Sequence, residues 1–297
     1  MNSPEIRIGI SGWIYPPWRG VFYPEDLPQK RELEYASRQI NTIEINGTFY
    51  SLQKPKSFSK WHDSTPDDFV FSVKGNRYLT HIRRLDEPKL PLANFFASGL
   101  FNLGKKLGPI LWQFPPSFKY DRERIEAFLK LLPHDTEQAS RLAHDHSSIV
   151  TGRSVLTPIH DGGIRHAMEV RHPSFEDEDF IDLLREYQIA IVIADTAGKW
   201  PVIEDVTSNF VYLRLHGDKE LYVSGYTADA LDDWERKIRR WSEGGTPQGT
   251  RRIRPSTPPI GSGRDIYVYF DNDIKTRAPF DAISLGERFG LSPAPFE

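Results

Sequence analysis

The chain has 297 residues, 38% of them hydrophobic, which is enough to bury a sizeable core as two ordinary domains or one large one. A formal net charge of -3 gives no global attraction to nucleic acid, and the absence of cysteine excludes disulfides, thiolate metal sites, iron–sulfur clusters and cysteine nucleophiles. The opening "MNSPEIRIGISGW" lacks a basic stretch followed by a long apolar run, and no run elsewhere approaches about 18 apolar residues, so a soluble cytoplasmic protein without membrane contact is expected.

Short β-branched or aromatic runs recur along the chain: "EIRIGISGW" from Glu5, "NTIEINGTFY" from Asn41, "FVFSVKG" from Phe69, "LGPILWQFP" from Leu107, "HAMEVRH" from His166, "IAIVIADT" from Ile189, "FVYLRLHG" from Phe210 and "DIYVYFDND" from Asp265. Segments of helical period separate them, beginning at Gln29, Pro55, Pro91, Asp121, Asp177, Ala228 and Pro279. The sixth gap, "AGKWPVIEDVTSN", is too short and too broken by proline for a full helix. Alternating strands and crossover helices imply parallel strands, and eight of them imply a single (β/α)₈ TIM-type barrel domain over 1–297, with a degenerate sixth helix. A doubly wound open sheet is the alternative, but its G-x-G-x-x-G signature after the first strand is absent.

Two stretches interrupt the alternation, at 134–165 and 244–263. Each follows a helix and precedes a strand, which places both inserts on the N-terminal face, the first with a short helix from Thr136 to His144. Arg251, Arg252 and Arg254 in the second could meet phosphate, although a solvated basic loop is the simpler expectation.

Alternate residues of a barrel strand face inward. In "FVYLRLHG" the set Val211, Leu213 and Leu215 suits the helix layer, which turns Tyr212, Arg214 and His216 inward. The same test turns Glu44 and Asn46, Lys74, Gln113, Glu169 and Arg171, and Asp271 inward, with Ser11 and Trp13 from the first strand; His172 and Asn272, at the carboxyl ends of their strands, join the inventory of the mouth. Asp195 is ambiguous, because it shares parity with Ile191 and Ile193. Polar groups thus gather at the carboxyl ends of the strands, where barrels of this type build their sites. An internal ion network among Glu44, Glu169, Arg171 and Arg214 is the bland explanation, yet an aliphatic layer would be the cheaper way to fill a barrel.

The carboxylates Glu44, Glu169 and Asp271 with His216 can exchange protons, and Lys74, Arg171 and Arg214 can hold an anion. Glu44, Glu169, Asp271 and His216 could also ligate a divalent metal. The neighbouring cations oppose one, and no H-E-x-x-H spacing is present, so a metal is possible but not favoured. Trp13, Tyr15, Trp18, Phe22, Tyr23, Phe49 and Tyr50 in the first two loops could stack on a sugar or a base, or simply pack those loops. The stretch from His216 to Tyr226 reads as a lid.

The motifs "GISGWIYPPWRGVFYP", "EINGTFY", "FVFSVKG" with "THIRR", "LGPILWQFPP", "EVRHPSF", "VYLRLHG" and "VYFDND" follow one another over nearly the whole chain, which resembles the YecE-like family, domain of unknown function 72. The resemblance implies a TIM-type barrel and no established reaction. It marks Trp13, Tyr23, Glu44, Asn46, Thr48, Tyr50, Lys74, His81, Gln113, Pro115, Glu169, Arg171, His172, Arg214, His216, Gly217 and Asn272. The chain departs from the shortest members at the two inserts, and at Asp271, where many relatives carry asparagine or another polar residue. Likeness of fold to sugar isomerases and apurinic endonucleases is analogy alone.

Three functions compete. The first is an enzyme doing acid–base chemistry on a small anionic, phosphorylated or sugar-like substrate. Its catalytic residues would be Glu44, Glu169, His216 and Asp271. Its substrate-binding residues would be Trp13, Tyr23, Asn46, Tyr50, Lys74, His81, Gln113, Arg171, His172, Arg214 and Asn272. The second is a protein of apurinic-endonuclease type that binds or processes nucleic acid, and the third is a metabolite-binding protein without catalysis.

Overall fold

The computed structural model describes residues 3–255 and 263–296, so residues 256–262 of the second expected insert lie outside the described residues. Eight strands form where the sequence places them: β1 (Ile6–Ser11), β2 (Thr42–Ile45), β3 (Val70–Lys74), β4 (Leu107–Gln113), β5 (His166–Glu169), β6 (Ala190–Asp195), β7 (Phe210–Leu215) and β8 (Asp265–Phe270). They pair in chain order and close into a barrel. The register sets Gln113 beside Glu169, Arg214 beside Tyr269 and Asp195 beside Leu215, each pair of strands running parallel.

The helices are α1 (Glu32–Gln39), α2 (Gly47–Tyr50), α3 (Pro55–Asp63), α4 (Lys89–Ala97), α5 (Arg122–Leu129), α6 (Thr136–Ala143), α7 (Glu178–Glu186), α8 (Ala228–Ser242) and α9 (Ala278–Arg288). Several start where the sequence offers a capping oxygen: Asp121, Asp135, Asp177 and Thr227 each accept a backbone N–H from the first turn of α5, α6, α7 and α8. The helical pattern from Pro91 divides into α4 and a 3₁₀ segment, Leu100–Lys106. Gly99 makes the break, with φ of 120° and a packing so close that a Cβ there would lie 2.7 Å from Cα of Pro55. No helix lies between β6 and β7 among the described residues, in keeping with the short sixth gap.

The chain divides into two compact units. The first, residues 1–43 with 176–297, carries β1, β6, β7 and β8 with α1, α7, α8 and α9. In it Gly9 is forced by proximity, because a Cβ there would meet the carbonyl oxygen of Thr42 at 1.8 Å. The second unit, residues 44–175, carries β3, β4 and β5 with α2 to α6. Trp112 of β4 packs on Phe95 of α4 and Phe128 of α5, so its face belongs to the helix layer and Leu111 and Gln113 take the opposite one.

The insert at 134–165 is tied at its ends, where Thr136 donates to the carbonyl of Gly162 and Ile164 to that of His134. Its middle runs along α4: Ser147 N–H donates to Asn94 Oδ1 at 2.8 Å, and Lys89 pairs with Asp145 at 2.8 Å. In the second insert Glu204 accepts from the backbone of Arg251, and Asp205 from Ile253 and Arg254. The side chain of Arg251 pairs with Glu176, and that of Arg254 with Asp182 and Glu178. Both arginines are thus ion-paired at the surface, Arg251 largely exposed against a residue just ahead of α7 and Arg254 against α7 itself. No helix among the described residues is long and apolar enough to cross a membrane.

Candidate functional site

In the second unit, the carboxyl ends of β3, β4 and β5 bring together Lys74, Gln113, Glu169 and Arg171, all buried or nearly so. Arg171 grips one oxygen of Glu169 through both Nε and Nη2, each at 2.7 Å. The Lys74 ammonium lies 4.5 Å over the ring of Phe49, and Thr48 donates to the carbonyl of Lys74 at 2.6 Å, which fixes the strand end. Glu44 is fully buried on β2. The Oδ1 of Asn46 is buried with no hydrogen-bond partner.

His81 joins this group from a π-helix, Tyr78–Ile82, a rare geometry that recurs at functional sites. Its ring stands edge-on to Phe49 at 5.0 Å, with Nδ1 2.8 Å from Thr80 Oγ1 and Nε2 3.5 Å from the amide nitrogen of Gln113. Burial and then the positive charges of Lys74, Arg171 and Arg77 push its pKa down to about 4, against the opposing pull of Glu169. The imidazole is therefore neutral at ordinary pH although carboxylate-bearing residues are near. The loop that follows holds Arg84, Leu85 and Glu87 at positive φ, an accumulation of backbone strain beside the π-helix.

In the first unit, the ends of β7 and β8 build a different arrangement. Arg214, wholly buried, donates to Asp271 Oδ2 at 2.8 Å and to Ser11 Oγ at 3.4 Å. The same Oδ2 lies 3.1 Å from Nδ1 of His216, whose Nε2 is 3.5 Å from Arg214 Nη1. One carboxylate thus faces a guanidinium and an imidazole at once. Beneath it Tyr269 shares a 2.9 Å hydrogen bond with Thr42 and packs on Tyr212.

Asp195 shares a face with Leu215 and not with Arg214, which resolves its parity toward the helix layer. It accepts a 3.0 Å hydrogen bond from Tyr226, whose hydroxyl accepts in turn from Gly217 N–H. Asn272 also faces this side: its amide donates to the carbonyl of Ser224 and to Asp281, and Asp281 accepts from Tyr226 N–H as well. Burial raises the pKa of both Asp195 and Asp281. These residues close the stretch 217–226 onto α9, a structural duty that a lid reading of the sequence did not assign to Asn272.

The aromatic rim divides as well. Trp18, Phe22 and Tyr23 are buried and pack on one another, with the Tyr23 hydroxyl donating to the carbonyl of Trp13, itself buried. Tyr50 remains exposed beside Phe49. His172 is engaged locally, accepting from Ser174 N–H at 3.1 Å. Among the described residues no three metal-ligating side chains are grouped so as to hold an ion.

Comparison with known proteins agrees with this architecture. A family model described as "Protein of unknown function DUF72" matches residues 7–296. The chain is 23% identical to the UPF0759 protein YecE of Escherichia coli over 281 residues, 92% of this chain and 94% of that protein. It is 29% identical to the UPF0759 protein YunF of Bacillus subtilis over 134 residues, 43% of this chain and 46% of that protein. A solved DUF72 family protein from Thermotoga maritima shares its fold with a TM-score of 0.71 at 24% identity, over 96% of this chain and 99% of that one.

Proposed function

We propose a function for a chain that belongs to the DUF72 family, whose description assigns none: an enzyme performing acid–base chemistry on a small anionic, phosphorylated or sugar-like substrate. The observation that carries the reading is the cation-rich end of β3 to β5, where Lys74 and Arg171 flank a histidine that stays neutral. Cations at the end of barrel strands attract and orient an anion, and a neutral imidazole can accept a proton or donate a hydrogen bond. The unpartnered Oδ1 of Asn46 suits a substrate hydroxyl. Gln113 and the exposed ring of Tyr50 complete the polar and stacking contacts a sugar-like group needs.

Proton transfer is assigned within each unit by itself. In the second unit Glu169, oriented by Arg171, and Glu44 are the carboxylates that would exchange protons. In the first unit His216 with Asp271 is the acid–base pair, Asp271 orienting the ring as a carboxylate does for a catalytic imidazole. The same proposal keeps the protein in the cytoplasm.

Turnover of a panel of sugar phosphates and small anionic metabolites tests this reading, with Glu169→Gln and His216→Gln beside the wild type. Activity lost in both variants, with unchanged thermal unfolding, supports the roles given. Full activity in Glu169→Gln would remove the acid–base assignment from the second unit.

A further inference from the structure

The second unit also holds an open cavity of about 700 Å³, formed by the loop after the π-helix, the first turns of α4 and the middle of the 134–165 insert. That volume lies within the range of small-molecule sites, about 300–1,000 Å³. The cavity shares no residue with the cluster around His81. Three large apolar side chains of its lining are about half exposed or more: Tyr78 at 46%, Leu90 at 49% and Ile149 at 64%. The ring of Tyr78 has no aromatic partner among the described residues, which leaves a face on which another flat ring can stack. Exposed apolar surface gathered around one concavity suits a ligand, but by itself it does not say which.

A buried amide in the same lining is more specific. Asn94 of α4 is only 6% exposed, and its Oδ1 accepts from Ser147 N–H at 2.8 Å and from Ser147 Oγ at 3.1 Å. A backbone N–H can only donate, so the amide oxygen must face Ser147 and the amide nitrogen must face the other way. That Nδ2 has no hydrogen-bond partner among the described residues, so the donors of a nearly buried side chain are left to the cavity. The charges of the lining are settled, by contrast. Its two cations are Arg83, paired with Asp86 at 2.9 Å and Glu87 at 3.0 Å, and Lys89, paired with Asp145 at 2.8 Å. Glu87 and Asp145 belong to the lining too, so it carries no net charge with which to draw in an ion.

We propose that this cavity is a second binding site, for an uncharged flat ring that carries a carbonyl acceptor, of the aromatic carboxamide or lactam class. The ring lies on Tyr78 beside Leu90 and Ile149, and the carbonyl accepts from Nδ2 of Asn94. A ring without an acceptor leaves that amide unmatched, and a carboxylate gives up its hydration for cations that are already paired. The walls are held ready for such a ligand. In the loop, Arg84, Leu85 and Glu87 stand at φ of 52°, 63° and 45°, kept there in part by Leu85 N–H donating to the carbonyl of Leu79 at 3.0 Å and Asp86 N–H to that of Arg83 at 2.9 Å. Across from it the insert is tied to α4 by Asn94 itself and by Val155 N–H donating to the carbonyl of Ala97 at 2.9 Å. Walls fixed in advance lower the ordering cost of binding. The site is independent of the acid–base reading above.

Three probes that share one ring separate the contributions: an indole carboxamide, the matching indole carboxylate and indole itself. Titration of the full chain by calorimetry, backed by ligand-detected NMR, is expected to show the carboxamide binding about tenfold tighter than either of the others. Asn94→Asp keeps an oxygen for Ser147 and replaces the donor to the cavity with an acceptor. Tyr78→Ser removes the stacking face at an exposed position. Each variant should weaken the carboxamide about tenfold, and Tyr78→Ser should weaken indole as well. Should Asn94→Asp fail to fold, Tyr78→Ser and the ligand series decide the matter. Indole binding as tightly as the carboxamide would overturn the role of Asn94, and the carboxylate doing so would overturn the uncharged class. Carboxamide binding that neither variant changes would place the ligand elsewhere, and no binding of any probe at millimolar concentration would remove the site.

Discussion

The two polar clusters at the strand ends differ in how their charges are settled. Around Arg214, a guanidinium, a carboxylate and an imidazole meet within 3.5 Å, and one oxygen of Asp271 answers both positive partners. Around His81, cations outnumber carboxylates and the imidazole stays neutral. A carboxylate shared by two partners holds its network in place, whereas the positive neighbours of His81 act with burial to keep its imidazole neutral. Buried polar groups in a barrel can therefore answer one another in one unit and leave a histidine under mostly positive neighbours in the other.

Mutation should separate them sharply. Arg214→Met leaves the Asp271 carboxylate beside a wholly buried cavity without its guanidinium, and breaking such a pair costs about 3–5 kcal/mol. Urea unfolding of that variant beside the wild type checks it, and an unchanged midpoint would show that the pair does not hold the first unit together. Lys74→Met should also raise the pKa of His81, because Lys74 is the largest of the charges that depress it.

A second histidine of the same unit sharpens what the cations contribute. His166 is buried in the helix layer, donates from Nε2 to the carbonyl of Pro133 at 2.7 Å and accepts at Nδ1 from Trp112 Nε1–H at 3.1 Å. Both nitrogens are satisfied by the neutral form, and burial pushes the pKa down to about 3. Because the folded protein refuses a proton that the unfolded chain accepts near pH 6.5, stability is complete above that pH. It falls as pH drops toward about 3, by at most about 4 kcal/mol. Denaturation at stepped pH, compared with His166→Gln, should show this loss flattened in the variant. Salt should move the titration of His166 little and shift that of His81 upward, since burial is the main cause at His166, with His134 a minor one, whereas three cations act on His81.

Much of this was legible in the chain. The period-two pattern of "FVYLRLHG" placed Arg214 and His216 correctly, and strand parity alone found Lys74, Gln113, Glu169 and Arg171. Position at a strand's carboxyl end misled at Asn272 and left Asp195 ambiguous, whereas parity with Ile191 and Ile193, and with Val268 and Phe270, gives both to the helix side, where their partners Tyr226 and Asp281 come from a distant segment. His81 had no periodic signal at all, since a π-helix imposes neither the 2.0 nor the 3.6 repeat, and only the resemblance marked it. The rim aromatics misled in part, because density of aromatic residues says nothing about which of them pack on one another.

The smallest effect concerns the stretch 217–226 of the first unit. Tyr226→Phe removes the donor to the half-buried Asp195 and the acceptor of the buried Gly217 N–H. The expected cost is about 1–2 kcal/mol, the penalty for a stranded buried partner rather than the worth of the bond itself. Because burial already raises the pKa of Asp195 with the tyrosine donor opposing it, the variant should raise that pKa further. Its carboxyl then binds a proton in the folded state at pH values where the unfolded chain has released it, so stability is lost as pH rises through that window. The variant should therefore recover part of its loss in mild acid, the reverse of the behaviour expected of His166. An unfolding series at stepped pH reads both slopes, and a parallel fall in acid for the two would show that Tyr226 does not govern the charge on Asp195.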